Sequence, residues 1–305
     1  MALPSNVNGI LCIDKPQDFT SFDVVKKLRG MTKIKKLGHA GTLDPMATGV
    51  LPVFFGATTK ACDILPNQNK RYTAAFQLGM TTNTQDIWGE ELSRRESHVA
   101  KDDILALLPR FRGDIEQTPP MFSAIQINGQ RLYDLARKGI EIERQPRPIH
   151  IFRFELLSFD EESQTGTLDI GCSKGTYIRT LIHDLGEKLG TGGVMTALTR
   201  TEAAGFTLQD CLTFDEVEEL LRTERFTERL LPVDKVFESY PVIRLNAVQS
   251  GKFLNGVRLD LNRVIHPKNA DTCRVYDSEN KFLGLADCCG DTMELVLRKF
   301  FIERK

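Results

Sequence analysis

The chain has 305 residues, enough for one large domain or two modest ones, each with its own core. Hydrophobic residues make up 41% and charged residues 27%, an ordinary globular composition, and no apolar run approaches the ~20 residues of a membrane span. A net charge of −1 does not advertise a nucleic-acid binder, so any such surface must be local.

Seven scattered cysteines (Cys12, Cys62, Cys172, Cys211, Cys273, Cys288 and Cys289) contain no Cys-x-x-Cys pair, and the histidines show no ligand spacing. The expectation is reduced thiols, a cytoplasmic location and no metal. The segment Met1–Asn6 lacks the basic and apolar regions of a secretory signal.

Gly9-Ile-Leu-Cys-Ile-Asp14-Lys15-Pro16 reads as a short buried strand ending at a turn. Thr20-Ser-Phe-Asp23 fits a capping box, and the helix it opens is expected to carry Phe22, Val25 and Leu28 on one side and to end near Gly30. Lys26, Lys27, Arg29, Lys33, Lys35 and Lys36 follow with no acid among them. Such a run is by itself only a solvated face. Its place immediately before a glycine-rich stretch points to phosphate contacts beside a site.

That stretch runs from Lys36 to Val50, with Gly38, Gly41 and Gly49 to let the backbone turn and Asp44 directly before Pro45. Taken alone, Asp-Pro reads as the N-cap and first residue of a helix. The glycine patterns of nucleotide-binding loops are absent. A second apolar segment spans Val50 to Phe55, and Lys70-Arg71-Tyr72 opens a strand with Tyr72, Ala74, Phe76 and Leu78 on one face. Lys101 to Phe111 is helix-like, whereas Thr118-Pro-Pro-Met-Phe-Ser-Ala124 starts an extended segment leading to a polar stretch through Arg147. Ile149–Phe159 and Thr165–Cys172 are strand candidates. Ile178, Leu181, Ile182, Leu185 and Leu189 then form a helical stripe with Gly190 as its cap. Arg179 lies at the edge of that stripe in the first turn, where a cation opposes the helix dipole and hints at function. Composition shifts between Leu231 and Pro241, and Thr272–Tyr276, Phe282–Cys288 and Met293–Phe300 read as hairpin-connected strands of a small barrel.

The string Gly38-His-Ala-Gly-Thr-Leu-Asp44-Pro-Met-Ala-Thr-Gly-Val-Leu-Pro52 resembles the nucleophile motif of the TruB family of tRNA pseudouridine synthases, which isomerise uridine 55 of the T loop. The resemblance implies an α+β fold: a catalytic domain on a mixed or antiparallel sheet (1–238) and a small PUA-like C-terminal β-barrel (239–305). Gln249–Gly256 resembles that module's opening helix. An RNA-gripping insertion is implied at about 120–148, where Phe122 replaces the usual tyrosine.

Residue by residue, the resemblance makes Asp44 the catalytic carboxylate and Tyr72, of a Lys-x-Tyr motif, the ring against the target base. Ser173-Lys-Gly-Thr-Tyr-Ile-Arg179-Thr is close to the motif whose arginine pairs with that aspartate. Gly38 and His39 are expected beside the substrate, and Asp14-Lys15-Pro16 looks like the family's first motif, with Lys15 structural or phosphate-facing. Leu198 and Arg200 fit an apolar-plus-basic segment packed by the uracil, where Thr199 departs. Thr82-Asn83-Thr84-Gln85-Asp86 resembles a family turn, but Asn83 replaces its usual aspartate and no chemical role is assigned. Lys33, Lys35, Lys36, Arg131 and Arg147, with Arg137, Lys138 and Arg144, would contact RNA backbone.

The chemistry such a site needs agrees with these residue types. A carboxylate acts at the sugar or the ring, a guanidinium keeps it ionised against desolvation, and an aromatic platform receives a flipped base. Isomerisation needs no cofactor. The expected partner is the tRNA T stem-loop, with no membrane, no obligate protein partner and a monomeric state. Two other readings stay open: a guide-RNA-dependent relative, and a non-catalytic tRNA-binding or folding chaperone.

Overall fold

The computed structural model describes residues 7–127, 129–267 and 270–301; the Met1–Asn6 reading lies outside them. Two sheets organise the chain. The larger contains β1 (Gly9–Lys15), β2 (Leu37–His39), β3 (Thr48–Phe55), β4 (Lys70–Leu78), β5 (Gly113–Gln117), β6 (Arg147–Asp160), β7 (Thr165–Cys172), β8 (Gly193–Ala203), β9 (Phe206–Thr207) and β10 (Cys211–Leu212). Its order is β10-β1-β3-β8-β4-β7-β6-β5, with β2 on β3 and β9 on β8. The pairs β1–β10 and β3–β8 are parallel and the others antiparallel, so the sheet is mixed.

Strand β4 alternates between buried Tyr72, Ala74, Phe76 and Leu78 and half-exposed residues, the period-two pattern of a strand with one face on a core. Against that face lies α4 (Ile178–Lys188), burying Ile178, Leu181, Ile182 and Leu185; Gly190, at φ 79°, ends its last turn. The helix-like stretch from Lys101 divides into α2 (Lys101–Leu107) and a 3-10 turn, Leu108–Phe111, before β5, and the short α3 (Leu132–Ala136) lies between β5 and β6.

Helix α1 (Ser21–Thr32) starts with the expected capping box between Thr20 and Asp23. Two details of its reading are corrected. Its buried stripe is Ser21, Val24, Val25, Leu28 and Thr32, leaving Phe22 61% exposed, because one residue past Ser21 lies ~100° around the helix. The helix also passes through Gly30 and ends at Lys33, whose left-handed φ of 61° turns its N–H back to the Arg29 carbonyl.

The second sheet comprises β11 (Val242–Arg244), β12 (Leu259–Asp260), β13 (Thr272–Tyr276), β14 (Phe282–Cys289) and β15 (Glu294–Phe300), in the order β11-β13-β14-β15-β12. It curls as a PUA-like half-barrel around Ile243, Phe253, Cys273, Val275 and Leu295. No described helix is long and apolar enough to cross a membrane.

Candidate active site

Asp44 sits in the loop between β2 and β3, and the loop is shaped from below by two buried cations. The Lys15 ammonium, fully enclosed, donates to the carbonyls of Pro16 (2.8 Å), Phe19 (2.5 Å) and Pro45 (3.3 Å). Burial lowers its pKa to about 8, which leaves it charged at neutral pH. Arg200, equally enclosed, donates Nε to the Val50 carbonyl (2.8 Å), Nη2 to Gly41 (3.1 Å) and Nη1 to Thr42 (3.4 Å). Lys15, read from the sequence as structural or phosphate-facing, and Arg200, read as part of the segment by the uracil, both support the loop from inside.

The Asp44-Pro45 pair starts no helix. Asp44 and Pro45 enter a turn closed by the Ala47 N–H on the Asp44 carbonyl (3.0 Å), because the chain must reverse to enter β3. Ser21 Oγ ties the start of α1 to the loop, accepting from Leu43 N (2.8 Å) and donating to Leu43 O (3.4 Å). Gly49 completes the return at φ 103°; a Cβ there would lie 2.2 Å from the Arg200 carbonyl oxygen.

Arg179 reaches this loop from the first turn of α4. Its Nε donates to Asp44 Oδ2 at 2.9 Å, Nη1 to the Thr84 carbonyl at 2.7 Å and Nη2 to the Phe122 carbonyl at 2.9 Å. The arginine is 5% exposed and the Asp44 side chain 41%, so the cation is enclosed while the carboxylate opens to solvent. Buried Gln117 fixes the helix start with a two-way amide bond to the Tyr177 backbone, 3.0 and 2.8 Å.

The turn after β4, assigned no chemical role from sequence, belongs to this network. Asp86 Oδ2 lies 3.7 Å from Arg179 Nε, giving the guanidinium a second carboxylate. Burial raises the Asp86 pKa, while Thr84 Oγ1 (2.8 Å) and the Trp88 N–H (3.1 Å) hold its other oxygen. Gln85 bonds Thr180 of α4 through its side chain (2.8 Å) and Met195 of β8 through its carbonyl (3.2 Å). The Asn83 departure also has a physical account. Its amide faces Glu90, accepting from that residue's N–H at 3.0 Å and donating to its carboxylate at 3.5 Å, where an aspartate would repel. Thr199, the departure in its segment, bonds Thr48 Oγ1 through its hydroxyl at 2.9 Å, linking β8 to β3.

Tyr72, 6% exposed, shares a buried cluster with Leu43, Met46, Ala47 and Leu198. Burial pushes its phenol up to about 12, and Asp44 is close enough for its charge to act in the same direction. Arg200 is its cross-strand partner on β8. Thus Arg179 meets Asp44 directly, and Tyr72, within reach of the same charge, packs in one cluster with Leu198. Gly38 and His39 lie in β2, just before the loop; burial lowers the His39 pKa, and among the described residues its enclosed Nδ1 has no hydrogen-bond partner. Lys33, Lys35 and Lys36 are exposed between α1 and β2. In the insertion, exposed Arg131 bonds the Tyr133 hydroxyl (2.8 Å) and Arg137 lies over its ring, whereas exposed Arg147 opens β6.

Three consecutive family models match the chain: TruB family pseudouridylate synthase (N terminal domain) over 29–178, tRNA pseudouridylate synthase B C-terminal domain over 179–238, and Pseudouridine synthase II TruB, C-terminal, over 241–292. The tRNA pseudouridine synthase B of Clostridium tetani is 40% identical over 95% of this chain and 99% of its own. That of Pseudomonas fluorescens is 42% identical over 94% of this chain and 93% of its own. The chain belongs to the TruB family. Among solved structures, a Cbf5-Nop10-Gar1 complex contains a chain matching 97% of this one at TM-score 0.75 and 24% identity, covering 85% of that chain. At that identity the likeness shows the TruB fold alone.

Proposed function

We propose that this TruB protein isomerises uridine 55 in the T loop of tRNA to pseudouridine, with Asp44 as the catalytic carboxylate acting on a flipped-out nucleotide. The observation that carries the reading is the open Asp44 carboxylate held by an enclosed Arg179, with buried Tyr72 close enough to feel its charge. Relatives named tRNA pseudouridine synthase B, matched over nearly their whole length, support tRNA as the substrate.

The reaction breaks the N1–C1′ bond, turns the detached uracil and joins C5 to C1′; the C5 proton leaves and N1 regains one. Atoms and electrons balance without an added reactant. Asp44 supplies the anionic oxygen for this exchange, as nucleophile or proton acceptor. Arg179 holds that oxygen in place and gives its charge a close, fixed partner. Tyr72 and Leu198 offer the uracil a flat apolar seat, and His39 stands at the loop's approach. Lys33, Lys35, Lys36, Arg131 and Arg147 contact the RNA backbone. The substrate puts the proposed site of action in the cytoplasm.

The protein is proposed to act alone and as a monomer. The test is purified chain with an unmodified tRNA transcript, followed by mapping of pseudouridine. One pseudouridine at position 55 is the expected result. Tight binding without product would indicate a chaperone, and product only with a guide RNA would indicate the particle-bound type.

A further inference from the structure

Trp88 is the chain's single tryptophan, and it lies in the turn between the paired segments Met80–Thr82 and Glu91–Arg94. It is 50% exposed, and no described ring stacks on it. An isolated exposed apolar residue is ordinary. This one is held beside the reacting groups by a short series of contacts: Trp88 N–H to Asp86 Oδ1 at 3.1 Å, Asp86 Oδ2 to Arg179 Nε at 3.7 Å, and Arg179 Nε to Asp44 Oδ2 at 2.9 Å.

The turn itself is fixed. Ile87 N–H donates to the Met195 carbonyl of β8 (2.9 Å), and Gly89 N–H closes the turn on the Asp86 carbonyl (3.1 Å). A Cβ on Gly89 would lie 2.2 Å from Thr84 Oγ1, so the turn admits little change. The following acids are engaged locally, Glu90 with Asn83 and Glu91 with Arg94. The backbone that carries this half-exposed indole is thereby fixed a short series of contacts from Asp44, and flipping one nucleotide there leaves its neighbours unstacked.

We propose that Trp88 is an RNA-stacking residue, its indole receiving a base adjacent to the uridine held at Asp44. The proposal rests on the RNA-modifying reading above and adds a binding residue to it. Stacking is tolerant of base identity because every base offers a π-face, so Trp88 contributes to affinity more than to sequence choice.

The lone indole makes the test direct, since all tryptophan emission comes from residue 88. Titrating the intact protein with unmodified tRNA transcript should change that emission saturably, with a midpoint matching the binding constant from filter retention. Trp88→Ala should raise KM about 5- to 150-fold, the range for losing one base–aromatic stack, with kcat kept within about twofold. Trp88→Phe should restore KM to within about threefold while abolishing the emission signal. Unchanged emission at saturating RNA, or a Trp88→Ala KM within twofold of the parent, overturns the proposal. The emission arm reads binding alone, so it stands even if no pseudouridine forms, an outcome that would sink the catalytic reading instead.

Discussion

Arg179 Nε and Asp44 Oδ2 meet at 2.9 Å although the two residues are 135 positions apart in sequence. Each terminal nitrogen of the guanidinium also donates to a carbonyl, that of Thr84 or of Phe122, so the arginine is held from three sides. Three separate chain segments converge on one side chain, and only a planar, forked donor set can serve them together.

Replacing Asp44 by Asn keeps the shape and removes the anionic oxygen. Folding and tRNA binding should persist with no detectable pseudouridine; near-normal turnover would refute the catalytic role. Arg179→Lys keeps the charge and loses the fork, and single-turnover rates should fall by about 100-fold or more.

The Tyr72 phenol, raised to about 12 by burial, is neutral throughout the working range. A raised tyrosine pKa means the proton stays on as pH climbs, so the rate profile should show no descending limb from this group up to about pH 10. Tyr72→Phe is expected to bind RNA but to lose most of its rate. An unaltered rate would show the hydroxyl to be idle.

Support of the loop is testable apart from chemistry. Arg200→Met would leave the carbonyls of Gly41, Thr42 and Val50 without donors and should cost about 3–5 kcal/mol of stability. Gly49→Ala combines a left-handed φ with a backbone clash and should cost roughly 2–4 kcal/mol. Urea unfolding measures both, and a loss below about 1 kcal/mol in either case contradicts the geometry.

Asp169 links strands behind Tyr72, accepting from Arg71 Nε and Nη2 and from Arg153 Nε. Arg71 first, then Arg153, hold its pKa below the ordinary value. A depressed acid stabilises the fold fully above its unfolded pKa of about 4 and loses that contribution as pH falls through the folded value. Asp169→Asn should therefore cost about 1–3 kcal/mol at pH 7, a figure held down by the exposure of both arginines. The difference from the parent should shrink in melts run below pH 4, and a constant difference would mean the charge is irrelevant.

Changing Lys33, Lys35 and Lys36 together to Ala should weaken tRNA affinity and flatten its dependence on salt, by a slope of up to about 3. An unaltered slope would show that these lysines touch no phosphate.

Patterns confined to one element were legible in the sequence. The Thr20–Asp23 capping box, the alternation of β4 and the stripe of α4 all depend on neighbours a few residues away. What long-range contacts decide was not. Asp44-Pro45 has the chemistry of a helix start, but Lys15 and Arg200 draw its surroundings into a turn. Arg200 reads as a residue beside the uracil, and Lys15 stays open between a structural and a phosphate-facing role, because nothing local reveals that carbonyls from distant segments converge on them. Asp86 was passed over for the same reason: its meeting with Arg179 exists only after α4 packs on the sheet. Strand β5, with charged residues in its short run, carries too weak an alternation to be recognised until it pairs with β6.

The two cations locked beneath the Asp44 loop have a consequence for how substrates compete. A cradle stiffened from within leaves the deformation of the encounter to the RNA, whose uridine must leave its stack. Ranking transcripts by turnover should therefore follow how loosely that nucleotide is stacked in the free RNA. Overall grip on the stem would be a poorer guide.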